Sequence, residues 1–189
     1  ERAIAYGRRS CERMITSGEI AEYELIIIND ASTDATAAIA DQLAEEESRV
    51  RVVHHPTNRK LGGSMRSGFA AAQGDIVLYT DADLPFDLNE LPRIVRLLRE
   101  YETDIVSAYR FDRTGEGALR AVYSTVYNTL IKVAFGVRVR DINFACKLVS
   151  RQVLDAVELK SEGSFIDAEL IIRAQREGFE VMQMGVDYF

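Results

Sequence analysis

The chain has 189 residues, 47% hydrophobic and 28% charged, which is enough for one domain with a sizeable core. A net charge of −7 and the lack of any aromatic-plus-basic cluster argue against a nucleic-acid partner. They also argue against general attraction to an anionic membrane, though not against a local basic patch. No run of about 18 apolar residues is present to span a bilayer, and no signal peptide is visible.

In chain order, residues 1–17 read as a helix stopped near Gly18, and Cys11 and Cys146 as separate reduced thiols of a cytoplasmic protein. "YELIIIND" (23–30) reads as a strand buried on both faces. The next helix has Ser32 or Thr33 as its N-cap, Asp34 in its first turn, and Ile39 and Leu43 on its buried stripe. "VRVVHH" (50–55) is a second strand, and "GGSMRSGFAAAQ" (62–73) a small-residue helix closed by Gly74. "DIVLYT" (75–80) is a third strand. It precedes a helix with Leu88, Leu91, Ile94, Val95 and Leu98 at helical spacing. "DIVSAY" (104–109) and "FACKLVS" (144–150) are strands flanking a long helix over 117–135. "RQVLDAV" and "DAELIIRAQREG" are helices, and "FEVMQMGV" closes as a strand. Glu1 lies inside an apparent helix and Phe189 ends a strand without a cap, so further residues are expected on both sides. No repeat or linker divides the chain, and residues 1–189 are expected to form one domain. Alternating strands and helices imply an α/β fold, a mostly parallel sheet between helical layers with ligands beyond the strands' carboxyl ends.

Asp30 ends the first strand, where a turn or a ligand contact both suit an aspartate. Asp81 and Asp83 follow the third strand. In extended chain, residues i and i+2 point to one side, so both carboxylates can converge on Mg²⁺ or Mn²⁺ completed by substrate phosphates. Arg110 follows the fourth strand. Arg120, Ser124 and Asn128 recur at i, i+4, i+8 in "RAVYSTVYNTLIK", either as a solvated face or as a row suited to a phosphate. The remaining apolar residues of this helix, Tyr123, Val126, Tyr127, Leu130, Ile131, Val133 and Phe135 among them, are expected in the core, with membrane-surface contact as the rival. His54 and His55 point to opposite faces of a strand and read as strand-end residues.

"IIINDASTDAT" and "NRKLGGSMRSGFAAAQGDIVLYTDADLP" resemble two successive signatures of family 2 glycosyltransferases, closest to the polyprenol-phosphate sugar transferases of the dolichol-phosphate mannose synthase type. The resemblance runs over nearly the whole chain. It implies a GT-A fold, a nucleotide-sugar donor (UDP- or GDP-linked), a divalent cation and an inverting sugar transfer. It implies roles for Asp30 at the base or ribose and for Asp81 and Asp83 at the metal and diphosphate. Arg66 is implied either at the nucleotide or in packing and capping. Arg110, Arg120 and Ser124 are implied at a lipid phosphate. Asp141 and Lys147 match the ends of a later family segment, with Asp141 shaping the acceptor pocket or acting as base. "GSFIDAELIIRAQREGFEV" resembles another segment, in which Asp167 is the first choice of base and Glu169 its competitor. Ala31 and Ala35 stand where the family carries glycine, which implies a more helical loop. The family's first strand would lie before Glu1. The implied location is the inner face of the membrane. The rival readings are transfer to a saccharide hydroxyl and a non-catalytic nucleotide-binding module.

Overall fold

The structure, a computed structural model, describes residues 1–111 and 118–187, with side chains in the segment 118–122 outside the described set. The elements are α1 (Arg2–Thr16), β1 (Leu25–Asn29), α2 (Thr36–Glu46), β2 (Val50–His54), α3 (Lys60–Ala71), β3 (Ile76–Thr80) and α4 (Leu91–Glu100). They continue with β4 (Ile105–Arg110), α5 (Ala118–Phe135), β5 (Cys146–Ser150), α6 (Arg151–Ala156), α7 (Phe165–Arg176) and β6 (Val181–Val186).

β1 and β2 form a parallel two-stranded sheet, and the other strands a four-stranded sheet in the order β3-β5-β4-β6. The α/β class is as expected. The parallel ladders are β1/β2 and β4/β6, while β5 runs antiparallel to both of its neighbours. β3 and β4 therefore point the same way and release their carboxyl ends at one edge. Thr80 lies opposite Cys146 and Ser107 opposite Lys147, so the start of β5 lies at that same edge.

The pleat assigns the core. Ile105 and Val149 pack on one face with Ile166, Leu170 and Ile171 of α7. Val106, Ala108, Cys146 and Leu148 pack on the other with Leu91, Ile94, Val95 and Leu98 of α4 and Met14 of α1. Each buried side chain of this size contributes about 1.5–3 kcal/mol. The result is helix, sheet and helix in three layers.

Several local expectations are corrected. β1 is half-buried rather than buried on both faces, because it pairs with β2 alone among the described residues. Neither Ser32 nor Thr33 caps α2, whose cap is Ala35. Ala31 turns the chain at φ +57, so the loop keeps a left-handed bend instead of extending the helix. Asp34 then accepts the Thr36 N–H at 3.0 Å. α3 ends at Ala71, ahead of Gly74, with Ala72 extended.

Candidate active site

Asp81 and Asp83 stand exposed just past β3. Their proximity does not come from strand alternation. The chain turns at once, with the Leu84 N–H on the Asp81 carbonyl at 3.2 Å and Leu84 at φ +57. The pair is nevertheless close enough to interact. The Asp81 carboxyl is held above the usual carboxylate range, first by partial desolvation, then by the charges of Asp83 and Asp167. The Tyr79 hydroxyl donates to Asp81 Oδ1 at 3.4 Å. Burial, then the charges of Asp167 and Asp81, push that phenol up, so it stays a donor. Among the described residues no group of three or more His, Cys, Asp or Glu is placed to hold a metal alone. Two carboxylates with like charge and few protein donors fit a cation that takes its remaining ligands from phosphates.

Behind this pair lies Asp167, at the start of α7. It is fully buried against Lys147, itself fully buried, with Nζ to Oδ1 at 2.6 Å. Lys147 Nζ also donates to the Phe144 carbonyl at 2.8 Å. Asp167 Oδ2 is buried without a hydrogen-bond partner among the described residues. Burial raises the Asp167 pKa and Lys147 opposes it. A carboxyl held up by burial accepts a proton more readily than an exposed one.

Glu169, the competing choice, is placed differently. Its carboxylate accepts the Ser161 N–H at 2.7 Å, the Lys160 N–H at 3.1 Å and Arg173 Nε at 2.7 Å. Burial acts upward, but these donors outweigh it and hold the pKa at about 2. Glu169 fastens the loop before α7. Arg66 joins the same clasp, because its guanidinium donates to the Ser161 carbonyl.

At the end of β4, Arg110, Tyr123, Ser124, Tyr127, Asn128, Asp141 and Asn143 line a cavity of about 310 Å³. Arg110 Nε and Nη2 donate to Asp141 Oδ2 and Oδ1 at 2.6 and 2.8 Å, a two-point grip that fixes the guanidinium plane. Asp141 is buried, at φ +46, and held by this pair. Asn128 donates to the Ser124 carbonyl at 2.9 Å and accepts the Ile142 N–H at 3.1 Å, tying α5 to the pocket loop. The Arg120 side chain lies outside the described residues.

The orientation of α5 overturns the core expectation for several of its apolar residues and, of the two readings of the polar row, goes against a solvated face for Ser124 and Asn128. Ser124, Tyr127, Asn128 and Ile131 turn inward, while Tyr123, Val126, Leu130 and Val133 face solvent, the last two 61% and 79% exposed. Hydropathy marks the stripes but not which one meets the body of the fold. Here a polar cavity takes the inner side. Among the described residues, no helix is long and apolar enough to cross a membrane.

Asp30, on the two-stranded sheet, has its carboxylate engaged from two directions. Its Oδ1 accepts the Arg59 N–H and faces His55 Nδ1, both at 2.7 Å. Sequence reasoning passed over His55, which is buried. The signal was the parallel register, in which Asn29 lies opposite His54 and so sets Asp30 beside His55.

The Glycosyl transferase family 2 model matches residues 8–157. Glycosyltransferase AglD of Haloferax volcanii is 34% identical over 171 residues, which cover 88% of this chain and 27% of that protein. Dodecaprenyl-phosphate galacturonate synthase of Rhizobium johnstonii is 30% identical over 141 residues, covering 74% and 42% respectively. The chain thus spans less than half the length of both relatives. Among solved structures, the fold resembles glucosyl-3-phosphoglycerate synthase of Mycobacterium tuberculosis in complex with Mn²⁺ and UDP-glucose. The TM-score is 0.63 at 23% identity, covering 88% of this chain and 59% of that one. It also resembles the mannosyltransferase PcManGT of Pyrobaculum calidifontis in complex with GDP-Man and Mn²⁺, with TM-score 0.56 at 18% identity, covering 86% and 45%. These neighbours establish the GT-A fold. A family match over most of the chain, on that fold, makes the protein a member of glycosyl transferase family 2.

Proposed function

We propose that this chain is the catalytic domain of an inverting glycosyltransferase, which moves a sugar from a UDP- or GDP-sugar to a lipid phosphate. The observation that carries the reading is topological. The Asp81/Asp83 pair and the Arg110 cavity open at one edge of one sheet, because β3 and β4 point the same way. A donor and an acceptor placed there meet side by side.

Asp81 and Asp83 would hold a divalent cation, which when bound neutralises charge on the leaving nucleoside diphosphate. Arg110, its plane fixed by Asp141, and Ser124 orient the acceptor phosphate. An acceptor oxygen attacks the anomeric carbon from the face opposite the diphosphate. The new carbon–oxygen bond forms as the bond to the diphosphate breaks, and the leaving group keeps the electron pair. The outward apolar stripe of α5 begins at Tyr123, on the cavity lip, and supports an acceptor with a hydrocarbon tail at a membrane surface. The dodecaprenyl-phosphate relative supports the same acceptor class.

A second reading is transfer to a saccharide hydroxyl, favoured by the uncommitted Oδ2 of Asp167, since a hydroxyl needs a base and an ionised phosphate does not. The test is a panel of UDP- and GDP-sugars with Mn²⁺ or Mg²⁺, offered polyprenyl phosphate or oligosaccharide acceptors. Product on the lipid phosphate is the expected result. Product only on the oligosaccharide overturns the acceptor, and binding of no nucleotide overturns the transferase itself.

A further inference from the structure

We infer that His55 is a positioning residue of the donor site: it fixes the carboxylate of Asp30, and Ser67 fixes His55. The inference rests on the nucleotide-sugar reading and adds a residue to it. β1 and β2 run parallel, and the His55 N–H extends their ladder to the Asn29 carbonyl at 2.9 Å. Asp30 and His55 are therefore neighbours at two carboxyl ends. His55 Nδ1 meets Asp30 Oδ1 at 2.7 Å, and Nε2 meets Ser67 Oγ on α3 at 2.8 Å. The imidazole is 3% exposed against 19% for the Asp30 side chain, so the ring lies behind the carboxylate.

The proton assignment follows from chemistry. A carboxylate only accepts, so Nδ1 carries a hydrogen and donates to Asp30. In the neutral ring Nε2 then accepts from the Ser67 hydroxyl. The Arg59 N–H reaches the same Oδ1, so two donors from different elements stop the carboxylate from rotating. Burial acts to raise the Asp30 pKa, but the Arg59 N–H and His55 outweigh it, so Asp30 remains an acceptor for ligand hydroxyls or ring N–H groups.

Ser67, His55 and Asp30 have the connectivity of a nucleophile triad. Their placement excludes that use. Ser67 is inside α3, where backbone N–H groups are committed to the helix and offer no oxyanion site, and the buried ring leaves no approach for a carbonyl. The relay therefore ends on Asp30. His54, the neighbouring histidine, is exposed: its Nε2 meets Asp41 Oδ1 at 2.8 Å and its Nδ1 meets Asn29 Nδ2 at 2.9 Å, so it touches the residue before Asp30 but not Asp30 itself.

The experiment compares His55→Phe, His55→Gln and Ser67→Ala with the wild type. It measures calorimetric binding of UDP and GDP with Mn²⁺, and donor KM and kcat on the sugar nucleotide that the wild type turns over. Loss of a hydrogen bond to a charged group predicts that His55→Phe weakens nucleotide binding and raises donor KM about tenfold or more. kcat and acceptor KM stay near wild type. Ser67→Ala moves donor KM in the same direction by less, and His55→Gln recovers part of the loss through its amide donor. Wild-type nucleotide affinity in folded His55→Phe overturns the inference alone. Should that variant not fold, an unchanged donor KM in Ser67→Ala overturns it equally. A collapse of kcat at unchanged KM makes the relay chemical rather than positional and also overturns it. A wild type that binds neither nucleotide removes the transferase reading and this inference with it.

Discussion

Glu169→Gln separates a structural carboxylate from a catalytic one. Glu169 sits on α7 with its side chain 7% exposed and takes donors from Ser161, Lys160 and Arg173. A glutamine keeps one acceptor oxygen and turns an NH₂ toward one of these donors. The fall in pKa from 4.5 to about 2 corresponds to about 3 kcal/mol of folding stability, an order-of-magnitude figure. Because the folded value lies below the unfolded one, this contribution is complete above the ordinary pKa of 4.5 and fades as the pH falls toward 2. Urea unfolding followed by circular dichroism is expected to give a gap between wild type and Glu169→Gln of about 3 kcal/mol at neutral pH, narrowing to about 2 kcal/mol near pH 3.5. The folded fraction keeps its kcat within about threefold, as expected for a group outside the chemistry. A gap that is absent or independent of pH would refute the clasp. A kcat reduced about a thousandfold in a stably folded variant would make Glu169 the base after all.

Gly62→Ala is expected to lose on the order of 2–3 kcal/mol in the same assay, because a Cβ there would lie 2.0 Å from the Ser161 carbonyl oxygen; an unchanged midpoint would show that the loop moves aside. Lys147→Met leaves Asp167 buried and unpaired and should cost about 3–5 kcal/mol, part of which returns in Lys147→Met/Asp167→Asn; a double variant no better than the single would show that the pair is not coupled. Asp83→Asn should weaken Mn²⁺-dependent UDP or GDP binding at least about tenfold while leaving stability unchanged, and metal titration by calorimetry checks it. Val133→Asp, on a side chain 79% exposed, should leave the unfolding midpoint in place and reduce sedimentation with anionic vesicles; equal sedimentation would remove the membrane role of α5.

Features set by local periodicity were legible in the sequence. Leu91, Ile94, Val95 and Leu98 of α4 are buried as their spacing predicts. What depends on distant partners was not. β5 carries no local mark of its direction, and its antiparallel insertion between β3 and β4 is a matter of topology. The row Ser124–Asn128 was found but left open between a solvated face and a phosphate site, because periodicity does not say which side of α5 meets the protein. Asp167 and Glu169 stand two residues apart on one helix, and Lys147 on β5, the 160–161 backbone and Arg173 tell them apart. Asp81 and Asp83 were paired for the wrong local reason, since a turn at Leu84 replaces the extended chain. Ala31 was expected to favour helix, yet it takes the left-handed bend, so the loop geometry prevailed over the residue's own preference.

The carboxylates of the fold sort by what faces them, and the sorting points to where positive charge is wanted. Asp30 and Glu169 each collect backbone N–H groups plus a side-chain donor, and both are held low. Glu169 is an acceptor already satisfied by the protein, while the part-exposed Asp30 carboxylate keeps acceptor capacity for a ligand. Asp81 and Asp167 are held high, each first by desolvation, and Asp81 further by Asp83 and Asp167. Lys147 supplies opposing charge, but it lies buried on Asp167 Oδ1 behind the pair rather than in front of it. Negative charge is thus concentrated past the end of β3, at the edge where the Arg110 cavity also opens. A protein that needed these acids only to end a strand would gain from replacing one by asparagine, because the mutual repulsion would vanish without loss of turn chemistry. Asp83→Asn therefore tests more than affinity. It should leave the fold as stable as before, or slightly more so, while removing metal-dependent nucleotide binding. That combination is expected where the charge is kept for a ligand and not for the strand.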